Sequence, residues 1–487
     1  MSKSKIQSPR FNRRSFLSST LAATAVTTWT AKSWARVAGA NETLNAGVVG
    51  FRGRGGSHIS SILGMEKNEK GVRLAALCDV DRKVLDAATA KHSVPGYTDV
   101  RRMVEDKKLD VVAIATPNHW HSLAAIWAIQ AGKDVYVEKP VSHNVWEGRQ
   151  LVNAARKYGK IVQTGTQSRS SSGIREATQW VQAGNLGKVL IARGLCYKPR
   201  GSIGKVADGQ KVPSEVDYDL WCGPAPKDEM RRKNLHYDWH WIWNYGNGDL
   251  GNQGIHQMDI ARWFLGVNEL SPLVFSVGGR LGYQDDGETP NTQYVWHGYE
   301  KAPLIFEVRG LPSGKGAKGM DNYRGAGVGV VIECEGGEVV VPNYSGAIAK
   351  DKTGKEIKKW SGSEDHFANF IKAVRSRKVE DLNADILEGH FSSALCHTGN
   401  ISYQLGRPTP LADIRKAVDA HRGGVETLDR MVAHLEKNEV DLAKTPLTLG
   451  PVLKMDPKKE KFIGDAAADK LLTRDYRKPY VVPDLSV

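Results

Sequence analysis

A short, almost unbroken apolar run, Leu44 to Val49, ends in the glycine-dense stretch Gly50-Phe51-Arg52-Gly53-Arg54-Gly55-Gly56 and then gives way to a helical pattern. Apolar runs of this length, bounded by turn residues, mark strands buried on both faces of a parallel sheet. The unit recurs. Val72 to Cys78, Val111 to Ala115, Asp134 to Val137 and Ile161 to Gly165 read as further strands with helical stretches between them. Strands alternating with helices predict a doubly wound parallel sheet over residues 41–165. After residue 165 the period shifts toward two. Val189 to Tyr197, Thr292 to Tyr299, Leu304 to Val308, Val328 to Cys334 and Glu338 to Val341 read as strands, with helices at His366 to Arg375 and Ile386 to Leu405. The expected fold is α/β: a parallel N-terminal domain, then an α+β domain at 166–406 with a large open, mostly antiparallel sheet. Residues 407–487, with a helix at Glu426 to Lys437 and a Pro-punctuated end at Tyr476 to Leu485, read as an ordered wrapping extension.

The loops at the strand ends carry the chemistry. A strand, a glycine turn and a helix start form a phosphate cradle, because glycine lets the backbone approach a pyrophosphate and the helix N-terminus offers unpaired N–H groups. The second strand ends in Asp79, an acid suited to the hydroxyls of an adenosine ribose. Together these features predict a Rossmann domain at 41–165. Arg82 and Lys83 tolerate a 2′-phosphate, yet the Asp79 carboxylate repels it, so NAD is expected over NADP. Two further loops, Thr116-Pro117-Asn118-His119-Trp120-His121 and Glu138-Lys139-Pro140, follow strands of the same sheet and so face the same crevice. The cofactor-side residues expected are Gly50, Phe51, Arg52, Gly53, Arg54, Gly55, Asp79, Thr116, Pro117, Asn118, His121, Glu138, Lys139 and Gln167. The His119-x-His121 spacing has no converging third ligand, so a helix cap and a buried ring are the reading for at least one of them, and no metal is expected.

The second domain contains an unusual aromatic stretch, His236 to Tyr245, followed by Gly246 to Asp259. Aromatic faces cover the C–H surfaces of sugars, and interleaved His, Asp and Asn satisfy hydroxyls. Some of the tryptophans belong to the core. Arg169, Trp239, His240, Trp243 and Asp259 are the substrate-side candidates.

Charge alters the picture only at the N-terminus. The chain has 68 Lys and Arg against 54 Asp and Glu, a formal charge of +14. Lys3, Lys5, Arg10, Arg13, Arg14, Lys32 and Arg36 supply +7 of it before the first acid, so 14 − 7 leaves +7 beyond them. A mild excess suits an anionic cofactor and calls for no nucleic acid. The pattern Asn12-Arg13-Arg14-Ser15-Phe16-Leu17, the apolar run to Trp29 and the small residues Ala38-Gly39-Ala40 form a twin-arginine (Tat) signal over residues 1–40. Tat export of a folded, periplasmic protein with no membrane span after cleavage is the expectation. Five scattered cysteines without a CxxC pair argue against a disulfide framework or structural zinc.

The order strand, Thr116-Pro117-Asn118-His119, strand, Glu138-Lys139-Pro140 resembles the Gfo/Idh/MocA oxidoreductase family, over roughly residues 44–406. The resemblance implies that Lys139 sits between nicotinamide and substrate and stabilises developing alkoxide charge. Gly254-x-His256-x-x-Asp259 resembles the family's catalytic helix, which makes His256 the general base that takes the hydroxyl proton. The family's Asp corresponds to Asn252, whose amide is no base, so the proton relay is expected to differ. The implied substrate is a carbohydrate or polyol, and the open sheet's free face implies a homodimer or homotetramer. Two other functions stay open: a redox glycosidase using transient oxidation of a sugar, whose Gly-x-Arg-Gly-Arg-Gly fingerprint is similar to Gly50 to Gly55, and a non-catalytic sugar-binding relative.

Overall fold

The computed structural model describes residues 43–486; the expected leader, residues 1–40, lies outside the described residues. The first domain contains β1 (Leu44–Val49), α1 (Arg54–Lys67), β2 (Val72–Cys78), α2 (Arg82–His92), β3 (Gly96–Tyr97), α3 (Val100–Val104), β4 (Val111–Ile114), α4 (His121–Gln130), β5 (Asp134–Val137), α5 (Val145–Lys157) and β6 (Val162–Thr164). Its six strands run parallel in the order β3-β2-β1-β4-β5-β6. Every residue of β1, β4 and β5 except Asn45 is buried, because helices cover both faces, and this is why their sequences read as continuous apolar runs.

The second domain begins with α6 (Ser172–Gln182) and β7 (Val189–Tyr197), passes through α7 (Tyr218–Cys222) and α8 (Ile255–Leu265), and continues with β8 (Leu273–Gly279), β9 (Thr292–His297), β10 (Leu304–Arg309), β11 (Val328–Cys334), β12 (Gly337–Val341), β13 (Gly346–Asp351) and β14 (Glu356–Ser361). Next come α9 (His366–Ser376), α10 (Ile386–Gln404), β15 (Arg407–Pro408), α11 (Leu411–Val418), α12 (Gly424–Lys437), β16 (Thr448–Leu449), β17 (Leu453–Asp456), β18 (Lys461–Phe462) and α13 (Ala466–Lys470). Among the described residues these strands form one twelve-stranded sheet, in which only β7 and β10 pair in parallel. Alternation along the central strands sorts the faces. Ala192 and Cys196 of β7 and Leu304, Phe306 and Val308 of β10 join α6, α8 and α10 in the main core.

The opposite face departs from expectation. It carries Ile191, Phe275 and Ile305, and these are covered by Ile414 and Val418 of α11 and Leu428, Met431 and Leu435 of α12. Over β7 to β10, the face read as a subunit contact is therefore covered by the chain's own C-terminal helices, whereas Val331 of β11 and Val340 of β12 pack with Ala326, Met320 and Tyr323. Residues 407–487 also do more than wrap, since β16 and β17 both pair with β8. The final segment returns to the first domain, where Tyr480, Val482 and Leu485 pack with residues of α4 and α5. No helix among the described residues is long and apolar enough to cross a membrane.

Candidate active site

Strand register assembles the crevice. Val49 pairs with Cys78 on one side and Ile114 on the other, and Ile114 pairs with Val137. The next residues, Gly50, Asp79, Ala115 and Glu138, are thereby brought to one level at the carboxyl edge of the sheet, where the strand order reverses. They line a cavity of about 320 Å³ together with Phe51 to Arg54, Thr116 to Asn118, Lys139, Asn252 and the wall formed by Leu220, Trp221, His236, Tyr237, Trp239 and His240.

The residues at the glycine turn fit a dinucleotide. Gly50 sits at φ +72, and a Cβ on Gly55 would lie 2.1 Å from the Gly50 carbonyl oxygen, so both positions require glycine. No side chain caps α1, which leaves its first N–H groups for a bound anion, and nothing lies within 4 Å of a Cβ built on Gly53. Asp79 accepts the Phe51 and Asp81 N–H groups at 3.1 and 3.0 Å and keeps lone pairs on the cavity wall. Arg52 donates to Asp81 at 2.9 Å, and His236 from the second domain meets the same carboxylate at 3.2 Å.

Glu138 supports the site from behind. It is buried, accepts from Arg54 Nε at 3.0 Å, lies 3.1 Å from His58 Nε2 and receives the Gln167 amide at 3.4 Å. Burial opposes its charge, but His58, Lys139 and Arg54 outweigh that and hold the carboxyl below the usual carboxylate range. Arg54 and Gln167, expected on the cofactor, thus both hold Glu138, and Gln167 does not line the cavity.

Lys139 and His256 arrive from different domains. The Lys139 ammonium donates to the Asn252 carbonyl at 2.8 Å. Burial lowers its pKa, Glu138 opposes the shift, and Arg54 and Lys198 add to it. Asn252 lies in a π-turn, Leu250–Gly254, that runs directly into α8 and His256. His256 is buried, its Nδ1 has no partner, and burial followed by the charge of Lys139 pushes its pKa down to about 3. His256 does not line the cavity itself; it lies on the helix behind Asn252, where a neutral imidazole that feels the Lys139 charge is a proton acceptor near a hydrogen-bond donor. Asn252 contributes its backbone oxygen to Lys139, a role any residue type could fill.

Other expected residues are positioned differently. His121 bridges the Pro140 and Thr116 carbonyls at 2.6 and 2.7 Å, and His119 meets the Tyr245 and Trp221 carbonyls at 3.2 and 2.9 Å. His121 reaches the cavity wall, but its two ring nitrogens are spent on backbone. Asn118 donates to Asn247 at 3.0 Å, joining the domains. Trp239 stacks on His240 at 3.6 Å between ring centroids, and both front the cavity. Trp243 does not line it; its ring lies toward Tyr403, at 6.5 Å. Arg169 and Asp259, expected to meet substrate, instead form a buried bidentate pair at 2.8 and 2.8 Å, with Ser392 donating to Asp259. A carboxylate and a guanidinium so far from water satisfy each other. Sequence reasoning missed Trp221 on the wall and His58 behind it, and it marked His236 and Tyr237 only as members of the aromatic stretch. The spacing of His58, four residues after Arg54 on one helix face, was a usable signal.

The fold and the crevice define a Rossmann-type NAD-binding protein with a second α/β domain docked over the cofactor edge. The chain belongs to the Gfo/Idh/MocA oxidoreductase family. The family model described as "Oxidoreductase family, NAD-binding Rossmann fold" matches residues 44–166, and that described as "Oxidoreductase family, C-terminal alpha/beta domain" matches residues 175–307. A levoglucosan dehydrogenase of Pseudarthrobacter phenanthrenivorans is 31% identical over 329 residues, 63% of this chain and 76% of that protein. An inositol 2-dehydrogenase of Salmonella paratyphi B is 30% identical over 158 residues, 32% of this chain; the match spans 46%, about half, of that protein's length. The WlbA dehydrogenase of Bordetella pertussis, solved with NADH and UDP-GlcNAcA, shares the fold with a TM-score of 0.54 at 20% identity, over 73% of this chain and 94% of that one.

Proposed function

We propose that this protein is an NAD-dependent oxidoreductase that moves hydride between a hydroxyl-bearing carbon of a sugar or polyol and a nicotinamide it retains between turnovers. The observation that carries the reading is that the Lys139 ammonium, which lines the cavity with the glycine turn and Asp79, is tied to the π-turn that leads into His256, whose Nδ1 has no partner. The nicotinamide supplies the hydride acceptor and donor. His256, held neutral, takes the hydroxyl proton, and Lys139 donates to the oxygen as negative charge develops on it. Trp239 and His240 offer a stacked aromatic surface for the substrate's C–H face. Relatives named as inositol and levoglucosan dehydrogenases support the substrate class.

The twin-arginine pattern at Arg13 and Arg14 supports export after folding, with the cofactor acquired in the cytoplasm. Export favours retention, because free dinucleotide is scarce outside the cell. The mature protein, purified without added nucleotide and dialysed extensively, is expected to carry close to one NAD per chain and to change absorbance at 340 nm when given the right sugar. A protein that emerges empty and works only with stoichiometric soluble NAD would sink the retained-cofactor reading and leave an ordinary dehydrogenase. Release of a free sugar from a glycoside with no net absorbance change would identify the transient-oxidation glycosidase.

A further inference from the structure

The turn that delivers Asn252 and His256 also anchors a second ammonium group. Lys198 follows β7 directly, is half-buried, and donates to the Gln253 side-chain oxygen at 3.0 Å. Gln253 in turn donates to the Tyr344 hydroxyl at 2.5 Å, and the Tyr344 ring meets His256 edge-on at 5.5 Å. Lys198 and Lys139 are therefore tethered to consecutive residues of one π-turn, three and four residues before His256. Residues three and four apart on such a helix share a face, so Asn252, Gln253 and His256 crowd together.

Neither lysine has a carboxylate partner among the described ion pairs, because every buried acid near the turn is taken by an arginine. Glu138 is held by Arg54, Asp249 by a bidentate Arg200 at 2.6 and 2.7 Å, and Asp259 by Arg169. The arginine pairs cancel, and two ammonium charges remain. Like charges repel each other in a partly dehydrated site, and the charge of Lys198 helps to lower the pKa of Lys139. An anion bridging toward Lys198 removes that repulsion, and a neutral hydroxyl does not.

We propose that Lys198 is a specificity residue that reads an anionic group on the substrate, so that the site takes an acidic sugar, bearing a carboxylate or a phosphate ester, in preference to a neutral one. The proposal rests on the oxidoreductase reading for where the sugar sits, but its test reads binding and not turnover. Calorimetry on the NAD-loaded protein at low ionic strength compares D-glucose, D-glucuronate and glucose 6-phosphate. One of the two anions is expected to bind about tenfold or more tighter than glucose, the value of one charge-assisted hydrogen bond, and which of them does so separates carboxylate from phosphate. The advantage is expected to fall to within about threefold in Lys198→Met. It falls likewise in Gln253→Glu, where a fixed carboxylate competes for the ammonium and which judges the proposal alone if Lys198→Met does not fold. Bound NAD and the thermal midpoint report that each variant is folded. Equal or tighter binding of glucose, no measurable binding of either anion, or an anion preference that survives in a folded variant would overturn the proposal. A sugar that binds in the expected order but never changes absorbance at 340 nm would instead count against the oxidoreductase reading.

Discussion

At the scale of single residues, the two groups proposed for proton transfer make opposite statements about pH. A free histidine accepts protons only above about 6.5. His256, pushed down to about 3 by burial and the neighbouring Lys139, stays in its accepting form well below that. Lys139 must keep its proton to donate, and burial lowers its pKa from the ordinary 10.5. We expect kcat/KM to stay nearly level from pH 7 down to 5 and to decline on the alkaline side below 10.5; an acid limb centred near 6.5 would show that His256 is not buried during turnover. Lys139→Ala and His256→Ala are each expected to lower kcat about 100-fold or more while bound NAD is kept, because their interactions act mainly in the transition state. Near-normal kcat in either variant removes that residue from the mechanism. Asp79, facing the cavity with its two backbone N–H partners, is expected to make NAD bind more tightly than NADP in calorimetry, and Asp79→Asn to narrow the gap. Equal affinities in the unsubstituted protein would refute that role. The positions of Lys139 and the glycine turn on the cavity wall were legible because a strand end or a short motif announces them, and His256 was legible as a residue of the helix that follows. Arg169 and Asp259 were misread because sequence shows two charges and not that they face each other, 90 residues apart.

Among the elements, the last stretch of chain is positioned to hold the cofactor wall shut. Arg477 donates to the Gly223 and Ala225 carbonyls at 3.1 and 3.3 Å and to the Asp219 carboxylate and carbonyl at 2.7 and 2.6 Å. Tyr480 donates to the other Asp219 oxygen at 3.1 Å. All of these lie in or just after α7, which carries Leu220 and Trp221 on the cavity wall. Arg477→Ala is therefore expected to speed NAD release about tenfold, the equivalent of one strong hydrogen-bond set, as followed by the NAD lost on timed dialysis. An unchanged release rate would show that the wall stands without its strap. The helix α12 was legible from its pattern, but its destination was not. Its polar stripe, Glu426, Thr427 and Arg430, meets Arg193 and Glu307 on the outward face of β7 and β10, with Arg430 to Glu307 at 2.5 and 2.8 Å and Arg193 to Glu426 at 2.6 Å. A hydrophobic period locates only the apolar half of such an interface, and polar residues on both partners read as solvated until they are brought together.

At the scale of the whole molecule, the same burial that tunes the site sets how the protein responds to acid. The two-domain plan was visible in the change of period near residue 165, but the number of histidines sealed inside was not, because sequence alone does not say which imidazoles lose water. His119, His256, His297 and His397 are all buried, and for each burial lowers the pKa to about 3. In the unfolded chain these rings bind protons as pH falls through about 6.5, while in the folded chain they bind them only near 3. Between those limits the unfolded state holds more protons, so stability is full above about 6.5 and is lost as pH falls, by up to about 1.4 kcal/mol per pH unit for each ring. The thermal midpoint is expected to drop steeply from pH 6.5 to 4. His297 isolates the effect: it is fully buried in β9, neither ring nitrogen has a partner, and burial is the sole cause of its shift. His297→Leu removes a titrating group and two unsatisfied polar atoms at similar volume. The variant is expected to be as stable as the parent or about 1 kcal/mol more so at pH 7.5, and to lose less stability at pH 4.5. If denaturant unfolding at both pH values finds the variant less stable and equally acid-sensitive, the imidazole is neither dry nor neutral in the folded protein, and burial is not what governs its acid response.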